Sequence, residues 1–212
     1  SDGESSGGKY RGVAPGVNII NAKGGGVSGG LFDIDIVEAI QWASPLADII
    51  SMSFGGNIFN ESQIISSAIT SANDDYGTIF VASAGNSGPD FYTGGIPAAH
   101  PDVISVGATN QDNELASFSS WGPSLTYLGY PDVVAPGVHI ISTSAFNSVI
   151  EKQKRYIGDF FDFSGNGDYI PLTGTSMSCP VVSGAIAILK DAFPSLSAET
   201  ARIALMEGAY PL

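Results

Sequence analysis

Charged and reactive side chains are scarce in this sequence of 212 residues. Only 14% of the residues are charged, lysine and arginine number eight together, and there are two histidines and one cysteine. A single cysteine, Cys179, cannot form an internal disulfide, so cysteine usage indicates no cellular compartment. We expect Cys179 to pack in the interior.

The scarcity of cationic side chains also limits the partners. The formal net charge is −13, which argues against binding to nucleic acid or to an anionic membrane surface. The one basic cluster, "EKQKR" at 151–155, is expected to be a solvated loop. No apolar run approaches 18 residues, so the sequence predicts no membrane span, and no segment has the pattern of a secretory signal peptide.

The length suits one domain with a sizeable core, and we expect residues 1–212 to form a single, partial domain. The sequence opens on "SDGESSGGK", a polar stretch rich in glycine and serine that is typical of an exposed loop. Because a domain rarely begins its fold in such a segment, we expect the sequence to start inside a larger domain.

Short apolar runs alternate with segments of helical periodicity along most of the chain. They predict strands at 16–23, 47–54, 77–86, 102–109 and 136–143, and helices at 33–43, 61–74, 176–193 and 197–209. Ser197 is the expected N-cap of the last helix. The alternation predicts an α/β fold with a parallel central sheet and helices on both faces. Residues 144–171 are the least regular, and we expect an irregular insertion there.

The segment "GGGVSG" at 24–29 matches the G-x-G-x-x-G pattern of dinucleotide-binding loops. Such a site needs a helix that begins within the glycines and an acidic residue at the end of the next strand. Here the predicted helix begins near Asp33, and Asp48 lies at the beginning of the next strand. We therefore interpret the segment as a flexible loop and keep a dinucleotide enzyme as an alternative.

Asn86, in "SAGN" at 83–86, follows a predicted central strand. Ligands of open parallel sheets bind beyond the carboxyl ends of the strands, and an amide side chain there can donate a hydrogen bond to an oxyanion. The small residues before Asn86 would let a substrate backbone approach closely. An asparagine in an ordinary turn explains the pattern equally well.

The stretch "GTSMSCP" at 174–180 places Ser176 at the start of a helix that is apolar on nearly all sides. A serine there lies beside free N–H groups and the positive end of the helix dipole, and both stabilise an oxyanion. In isolation, the commoner role of Thr175 or Ser176 is that of a helix N-cap.

Several segments together resemble the subtilisin-like serine proteases, or subtilases. "GTSMSCP" resembles the nucleophile motif G-T-S-M-x-x-P of that family, and "SAGN" resembles its oxyanion-hole motif. Four more segments of this chain match segments of the family. Residues 50–56 resemble its substrate-binding strand, and residues 8–19 resemble the segment after its catalytic-histidine helix. Residues 100–123 and 131–143 resemble two other sequence blocks of the family. The blocks come in the order of the family and cover nearly all of 8–210.

The resemblance implies a three-layer, subtilisin-like fold and peptide-bond hydrolysis through an acyl-enzyme. Ser176 would be the nucleophile. Asn86 and the backbone N–H of Ser176 would form the oxyanion hole, supported by Thr175. The family implies no cofactor for catalysis and an extracellular location.

The resemblance also implies a peptide groove. The substrate would add as a strand along Ser53, Phe54 and Gly55 through main-chain hydrogen bonds. The walls of the pocket for the residue before the scissile bond would be Gly55, Gly56, Ser83, Ala84 and Gly85, with Gly95 at the base. Because none of these residues is charged, the expected partners are polypeptides with large apolar side chains. Phe54 would line a second apolar pocket.

Two motifs of the family are absent: D-T/S-G, which carries the catalytic aspartate, and H-G-T-H-V-A-G, which carries the histidine. His100 and His139 lie in blocks where the family has non-catalytic residues, so neither is expected to be the base. We expect the sequence to be the C-terminal part of a catalytic domain, truncated at its N-terminus, and to be inactive alone. A non-catalytic domain that binds peptides or has a structural role is the alternative.

The stretch "DFSGNGD" at 162–168 partly resembles a calcium loop, because oxygen-bearing residues alternate and Gly167 lies at the turn. The bidentate glutamate of such a loop is replaced by Thr173. We therefore interpret the stretch as an Asx-rich turn and keep structural calcium as an alternative. Asp132 matches a position that is a cation ligand in some relatives, but we assign no metal ligand from these patterns.

Overall fold

Four short strands form a parallel sheet whose spatial order follows the chain. The computed structural model describes residues 2–25, 30–55, 62–122, 130–145, 147–148 and 168–212. The strands are β1 (Ile49–Met52), β2 (Ile79–Ser83), β3 (Val103–Thr109) and β4 (Val133–Pro136). Every residue of β2 and β3 is buried, as expected for central strands that are covered on both faces. The predicted parallel sheet is thus confirmed.

Helices cover both faces of this sheet. They are α1 (Asp33–Ala43), α2 (Gln63–Tyr76), α3 (Thr175–Ala192) and α4 (Ala198–Gly208). Because successive side chains of a strand point to opposite faces, Phe80 of β2 packs into the core shared with α1 and α2, and Val81 packs into the core shared with α3 and α4. The predicted three-layer arrangement is confirmed. No helix among the described residues is both long and apolar enough to cross a membrane.

The helix boundaries follow local signals in the sequence. Helix α1 begins at Asp33, as predicted. Residues 26–29 of the glycine motif lie outside the described residues, and the described glycines at 24 and 25 are not helical. A dinucleotide phosphate would need a helix that begins within the glycine motif, and the described glycines of the motif are not at the start of α1. Ser197 caps α4 as predicted, since its Oγ accepts the N–H of Thr200 at 3.2 Å.

The predicted strand at 136–143 divides into two elements. Its first residue ends β4, and its last four form β5 (Ile140–Thr143), which pairs antiparallel with β6 (Tyr169–Leu172). The first three residues of β6 lie within 144–171, the segment expected to be an irregular insertion. Residues 146 and 149–167 of that insertion lie outside the described residues. The basic cluster lies among them, as does all of the calcium-like stretch except Asp168.

The predicted strand at 16–23 is wrong. Residues 17–24 form no strand, and Ile19 is 79% exposed. A strand needs a neighbouring backbone for its hydrogen bonds, and a cavity of about 720 Å³, lined by both segments, separates residues 17–25 from β1. The apolar composition of this segment favours a strand, but no strand pairs with it in the described part of the chain.

Candidate active site

The carboxyl ends of β1 and β2 meet the start of α3 at one edge of the sheet. Strands that run parallel all end at the same edge, so Ser53, after β1, and Asn86, after β2, come close together. Strand β6 leads through Thr173 and Gly174 into α3 and delivers Ser176 to the same place. Residues separated widely in the sequence thus converge where ligands of open parallel sheets bind.

Ser176, the second residue of α3, faces Ser53. Ser176 Oγ donates to the carbonyl oxygen of Ser53 at 3.3 Å, and Ser53 Oγ donates to the carbonyl oxygen of Ser176 at 2.9 Å. The Ser176 carbonyl is available because the residue four positions later is Pro180, which has no N–H to donate within the helix. This reciprocal pair of hydrogen bonds holds the end of β1 against the start of α3.

Asn86 is oriented by Thr175. Asn86 Oδ1 accepts the backbone N–H of Thr175 at 2.9 Å and the Thr175 hydroxyl at 3.1 Å. With its oxygen committed to Thr175, Asn86 presents its Nδ2 amide group as a donor. Thr175 is fully buried, whereas Asn86 is exposed and Ser176 is half-buried. A buried hydroxyl therefore fixes the direction of an exposed amide beside the serine.

The start of α3 offers a second donor. The first N–H groups of a helix have no acceptor within the helix, and they form the positive end of its dipole. Among the described residues, no acceptor is found for the N–H of Ser176. The N–H of Ser176 and the amide of Asn86 are thus two donors at one edge of the sheet, as an oxyanion requires.

Gly85 allows the chain to turn between β2 and Asn86. Its φ is +111°, which disfavours any side chain, and a Cβ there would lie 2.8 Å from Ser120 Oγ. The backbone of Gly85 is fully used, because its N–H donates to Thr175 Oγ1 at 3.1 Å and its carbonyl accepts from Ser120 N at 2.9 Å. Gly85 therefore fits its place through its lack of a side chain.

The structure brings most of the predicted groove residues to this edge. Ser53 is exposed, Phe54 is half-buried against the core shared with α1 and α2, and a Cβ on Gly55 would lie 3.6 Å from the Ile96 carbonyl oxygen. Ser83, Ala84 and Gly95 are buried. Gly56 lies outside the described residues. The contact between Gly55 and Ile96 places the end of β1 beside the turn that contains Gly95.

Neither histidine forms a hydrogen bond with Ser176. His100 precedes β3, at the amino edge of the sheet, which is about 20 Å from the carboxyl edge for a strand of this length. His139 lies nearer, since its backbone N–H donates to Thr173 Oγ1 at 3.0 Å, and its side chain is exposed. In the described part of the chain, the only hydrogen bond of the Ser176 hydroxyl is to the carbonyl oxygen of Ser53.

Asp132 has a structural environment rather than that of a cation ligand. Asp132 Oδ2 accepts the N–H and the hydroxyl of Ser105 at 2.7 and 2.8 Å, and Asp132 Oδ1 lies 3.3 Å from Nε of Arg202. The positive charge of the adjacent Arg202 guanidinium disfavours the binding of a metal cation to Asp132. No group of three or more metal-ligating His, Cys, Asp or Glu side chains occurs in the residues that the structure describes.

Cys179 is fully buried on α3, one turn beyond Ser176. Its Sγ lies 3.5 Å from Ser51 Oγ and 3.5 Å from the Val81 carbonyl oxygen. Burial raises the pKa of the thiol, and hydrogen bonds from neighbouring serines oppose the rise only partly. Cys179 is thus a packing residue between α3 and the sheet, as predicted.

Two residues of the site were not singled out from the sequence. Ser120 Oγ accepts the N–H of Ser87 at 3.1 Å and so fixes the chain just after Asn86. Tyr130 is buried, and its hydroxyl donates to the carbonyl oxygen of Ala84. Ser120 lies in the block "ASFSSWGP", which could have drawn attention to it, whereas no local pattern marks Tyr130.

Known proteins resemble this chain in sequence and in structure. The model of the Subtilase family matches residues 2–211. The chain is 33% identical over 227 residues to serine protease AprX of Bacillus subtilis, covering 98% of this chain and 50% of that protein. It is 36% identical over 194 residues to subtilisin DY of Bacillus licheniformis, covering 90% and 60%.

Solved structures give the same relation. A cold-adapted subtilisin-like serine proteinase superposes with a TM-score of 0.71 and 28% identity, covering 92% of this chain and 62% of that one. Sphericase superposes with a TM-score of 0.68 and 33% identity, covering 86% and 57%. The chain spans 50–60% of the length of the two curated relatives. Because the family model matches almost its whole length, this chain belongs to the subtilase family of serine proteases.

Proposed function

We propose that this chain is the part of a serine endopeptidase that carries the nucleophile and the oxyanion hole. The observation that supports this best is the contact of Thr175 with Asn86, which directs an amide donor toward the start of α3. Ser176 Oγ would attack the peptide carbonyl, and the amide of Asn86 and the N–H of Ser176 would stabilise the oxyanion. Loss of the leaving amine would produce the acyl-enzyme, which water then hydrolyses.

The proton of Ser176 needs an acceptor that the described residues do not provide. The Ser176 hydroxyl donates to a backbone carbonyl, which cannot act as a general base at neutral pH. The aspartate and histidine of the catalytic triad would therefore come from polypeptide outside these 212 residues. Alone, the chain is expected to be inactive, because loss of the histidine in subtilisin itself costs about as much as loss of the whole triad.

The expected substrates are extended polypeptides with large apolar side chains. A substrate strand along Ser53–Gly55 would use main-chain hydrogen bonds, including one to the carbonyl oxygen of Ser53. In this structure the Ser176 hydroxyl donates a hydrogen bond to that carbonyl oxygen. This hydrogen bond would have to break before the substrate could bind there and before Ser176 could transfer its proton to a base. An extracellular location is a proposal that rests on the family resemblance alone.

Labelling with a fluorophosphonate, which reacts with activated serines, tests this function. The chain alone should not be labelled. The chain joined to a segment that carries the D-T/S-G and H-G-T-H-V-A-G motifs should be labelled at Ser176, and the same protein with Ser176→Ala should not. Stoichiometric labelling of the chain alone would contradict its inactivity.

A protein that binds peptides without cleaving them would give a different result. It would bind apolar peptides in the groove but would remain unlabelled when joined to the segment with both motifs. That outcome would favour the non-catalytic alternative, since the groove could be intact while Ser176 lacked activation.

A further inference from the structure

The candidate pocket for the residue before the scissile bond has two walls from different parts of the chain. One wall is the end of β2 with Ala84 and Gly85, and the base of the pocket, here called the second wall, is the segment with Gly94 and Gly95. Glycine and alanine side chains are too small to lock two walls to each other. A larger buried side chain that contacts both walls can therefore set their separation.

Tyr130 contacts both walls. It is 5% exposed, and its hydroxyl donates to the carbonyl oxygen of Ala84. Its ring lies so close to the other wall that a Cβ on Gly94 would be 2.5 Å from Tyr130 Cε1. Burial raises the pKa of this phenol, and a hydrogen bond with the backbone of Gly95 opposes the rise. One side chain thus contacts both walls through its hydroxyl and its ring.

The backbone of Tyr130 is itself held in place. Its carbonyl accepts the N–H of Gly122 at 2.9 Å. The N–H of Ser120, two residues before Gly122, donates to the Gly85 carbonyl at 2.9 Å. The segment 120–122 therefore links Tyr130 to the first wall a second time. A ring anchored from two sides can act as a fixed spacer between the walls.

We propose that Tyr130 is a positioning residue that sets the separation of the two walls and so makes the pocket selective for large apolar side chains. This inference rests on the proposed function, because it assigns the specificity of the same groove. Without the hydroxyl, the Ala84 carbonyl loses its buried donor and the wall is free to shift. A looser pocket contacts a large side chain less closely, whereas a peptide that places glycine there has no side chain to lose contacts.

Peptide binding tests the inference without catalysis. The complete 212-residue chain is titrated in a calorimeter with acetyl-Ala-Ala-Ala-Leu and with acetyl-Ala-Ala-Ala-Gly, both as free carboxylates. The unaltered chain should prefer the leucine peptide by about tenfold or more, the gain expected from burying one leucine side chain. Tyr130→Phe should reduce this preference to about threefold or less and leave the affinity for the glycine peptide within about twofold.

Ile104→Val is the matched control, because Ile104 is buried in the core shared with α3 and α4 and is not part of the pocket. It should lower stability and keep the preference. If Tyr130→Phe does not fold, Gly94→Ala disturbs the same contact from the other side and should also reduce the preference.

The role of Tyr130 would be refuted by an unchanged preference in Tyr130→Phe, by an equal loss of affinity for both peptides, or by an equal change in Ile104→Val. None of these results would contradict the proposed function. If the unaltered chain binds neither peptide, the groove of the proposed function is absent, and the inference fails with it.

Discussion

Thr175 shows how one buried hydroxyl organises the candidate site. It accepts the N–H of Gly85 and donates to Asn86, so it joins the segment after β2 to the start of α3. A hydroxyl can do both at once, because it is a donor and an acceptor. The exposed amide of Asn86 thus owes its direction to a fully buried side chain.

Thr175→Val is expected to lower the free energy of unfolding by about 1–3 kcal/mol, since valine has nearly the same shape but leaves the Gly85 N–H without its acceptor. Urea unfolding followed by circular dichroism measures this loss. Thr175→Ser keeps the hydroxyl and is the control. A Thr175→Val protein as stable as the unaltered chain would show that the Gly85 N–H finds another partner.

His100 predicts a pH dependence of stability. Its Nδ1 accepts the N–H of Asp102 at 3.1 Å, and its Nε2 lies 3.4 Å from the Thr70 hydroxyl of α2. Burial lowers the pKa of His100, the nearby Arg202 of α4 lowers it further, and Asp102 opposes both. Because the unfolded chain then binds the proton more readily than the folded chain, stability should fall as the pH falls below about 6.5, the ordinary pKa of histidine.

The measurement is the urea midpoint between pH 7.5 and pH 5. Since carboxylates also titrate, the quantity to follow is the difference between the unaltered chain and His100→Asn, whose Oδ1 can still accept the Asp102 N–H. As the pH falls through about 6.5, the urea midpoint of the unaltered chain should decrease more than that of His100→Asn. A pH-independent difference would mean that His100 has the same pKa in the folded and unfolded states.

At the scale of elements, α4 is tied to the sheet by one arginine. Arg202 donates to the Val103 carbonyl at 2.7 Å and the Pro101 carbonyl at 2.5 Å, and its Nε lies 3.3 Å from Asp132, whose side chain is fully buried. Ser105 of β3 donates twice to the same carboxylate. The polar cluster of Arg202, Asp132 and Ser105 thus connects α4 to the start of β3 and to the residue before β4.

Arg202→Ala should lower the free energy of unfolding by about 3 kcal/mol, because it leaves the buried Asp132 charge without its partner. The value is expected at the low end of the range for such pairs, since Ser105 still donates to Asp132. Urea unfolding gives the loss, and Glu207→Ala, an exposed change on the same helix, should stay within about 0.5 kcal/mol of the unaltered chain. A small loss in Arg202→Ala would indicate that Asp132 reaches solvent.

At the scale of the whole molecule, the described chain exposes much apolar surface. Ile19 is 79% exposed, Leu46 is 55% exposed and Ile188 on α3 is 51% exposed. Ile19 lines a cavity together with β1, and Leu46 and Ile188 line a second cavity together with residues 13–18. Apolar patches of this kind drive association or loss of order. The net charge of −13 opposes association by mutual repulsion.

We expect the isolated chain to associate as its concentration rises, and more strongly at high salt, where the repulsion is screened. Sedimentation velocity at low and high salt measures this. Ile188→Glu should weaken the association, whereas Tyr210→Ser, a change of an exposed residue near the C-terminus, should not. A chain that stays monomeric with a sharp, high melting temperature would argue against an incompletely covered core.

The family, the alternation of strands and helices and the positions of Ser176 and Asn86 could be predicted from the sequence, because each depends on short local patterns. The hydrophobic period indicates a helix or a strand within ten or so residues, and "GTSMSCP" and "SAGN" are contiguous motifs. The apolar segment at 16–23 marks the limit of this reasoning. Its composition favours a strand, but strand formation depends on a neighbour that local sequence does not supply.

Only the tertiary structure decided which distant residues meet. Ser53 and Ser176 are 123 positions apart, and they exchange hydrogen bonds because β1 ends and α3 begins at the same edge of the sheet. Tyr130 and Ala84 are 46 positions apart, and no spacing rule joins them. Local sequence encodes conformational preference through nearby backbone and side-chain forces, whereas such contacts depend on how the packed layers bring chain segments together. The chemical groups of the site could therefore be read from the residues, and their arrangement could not.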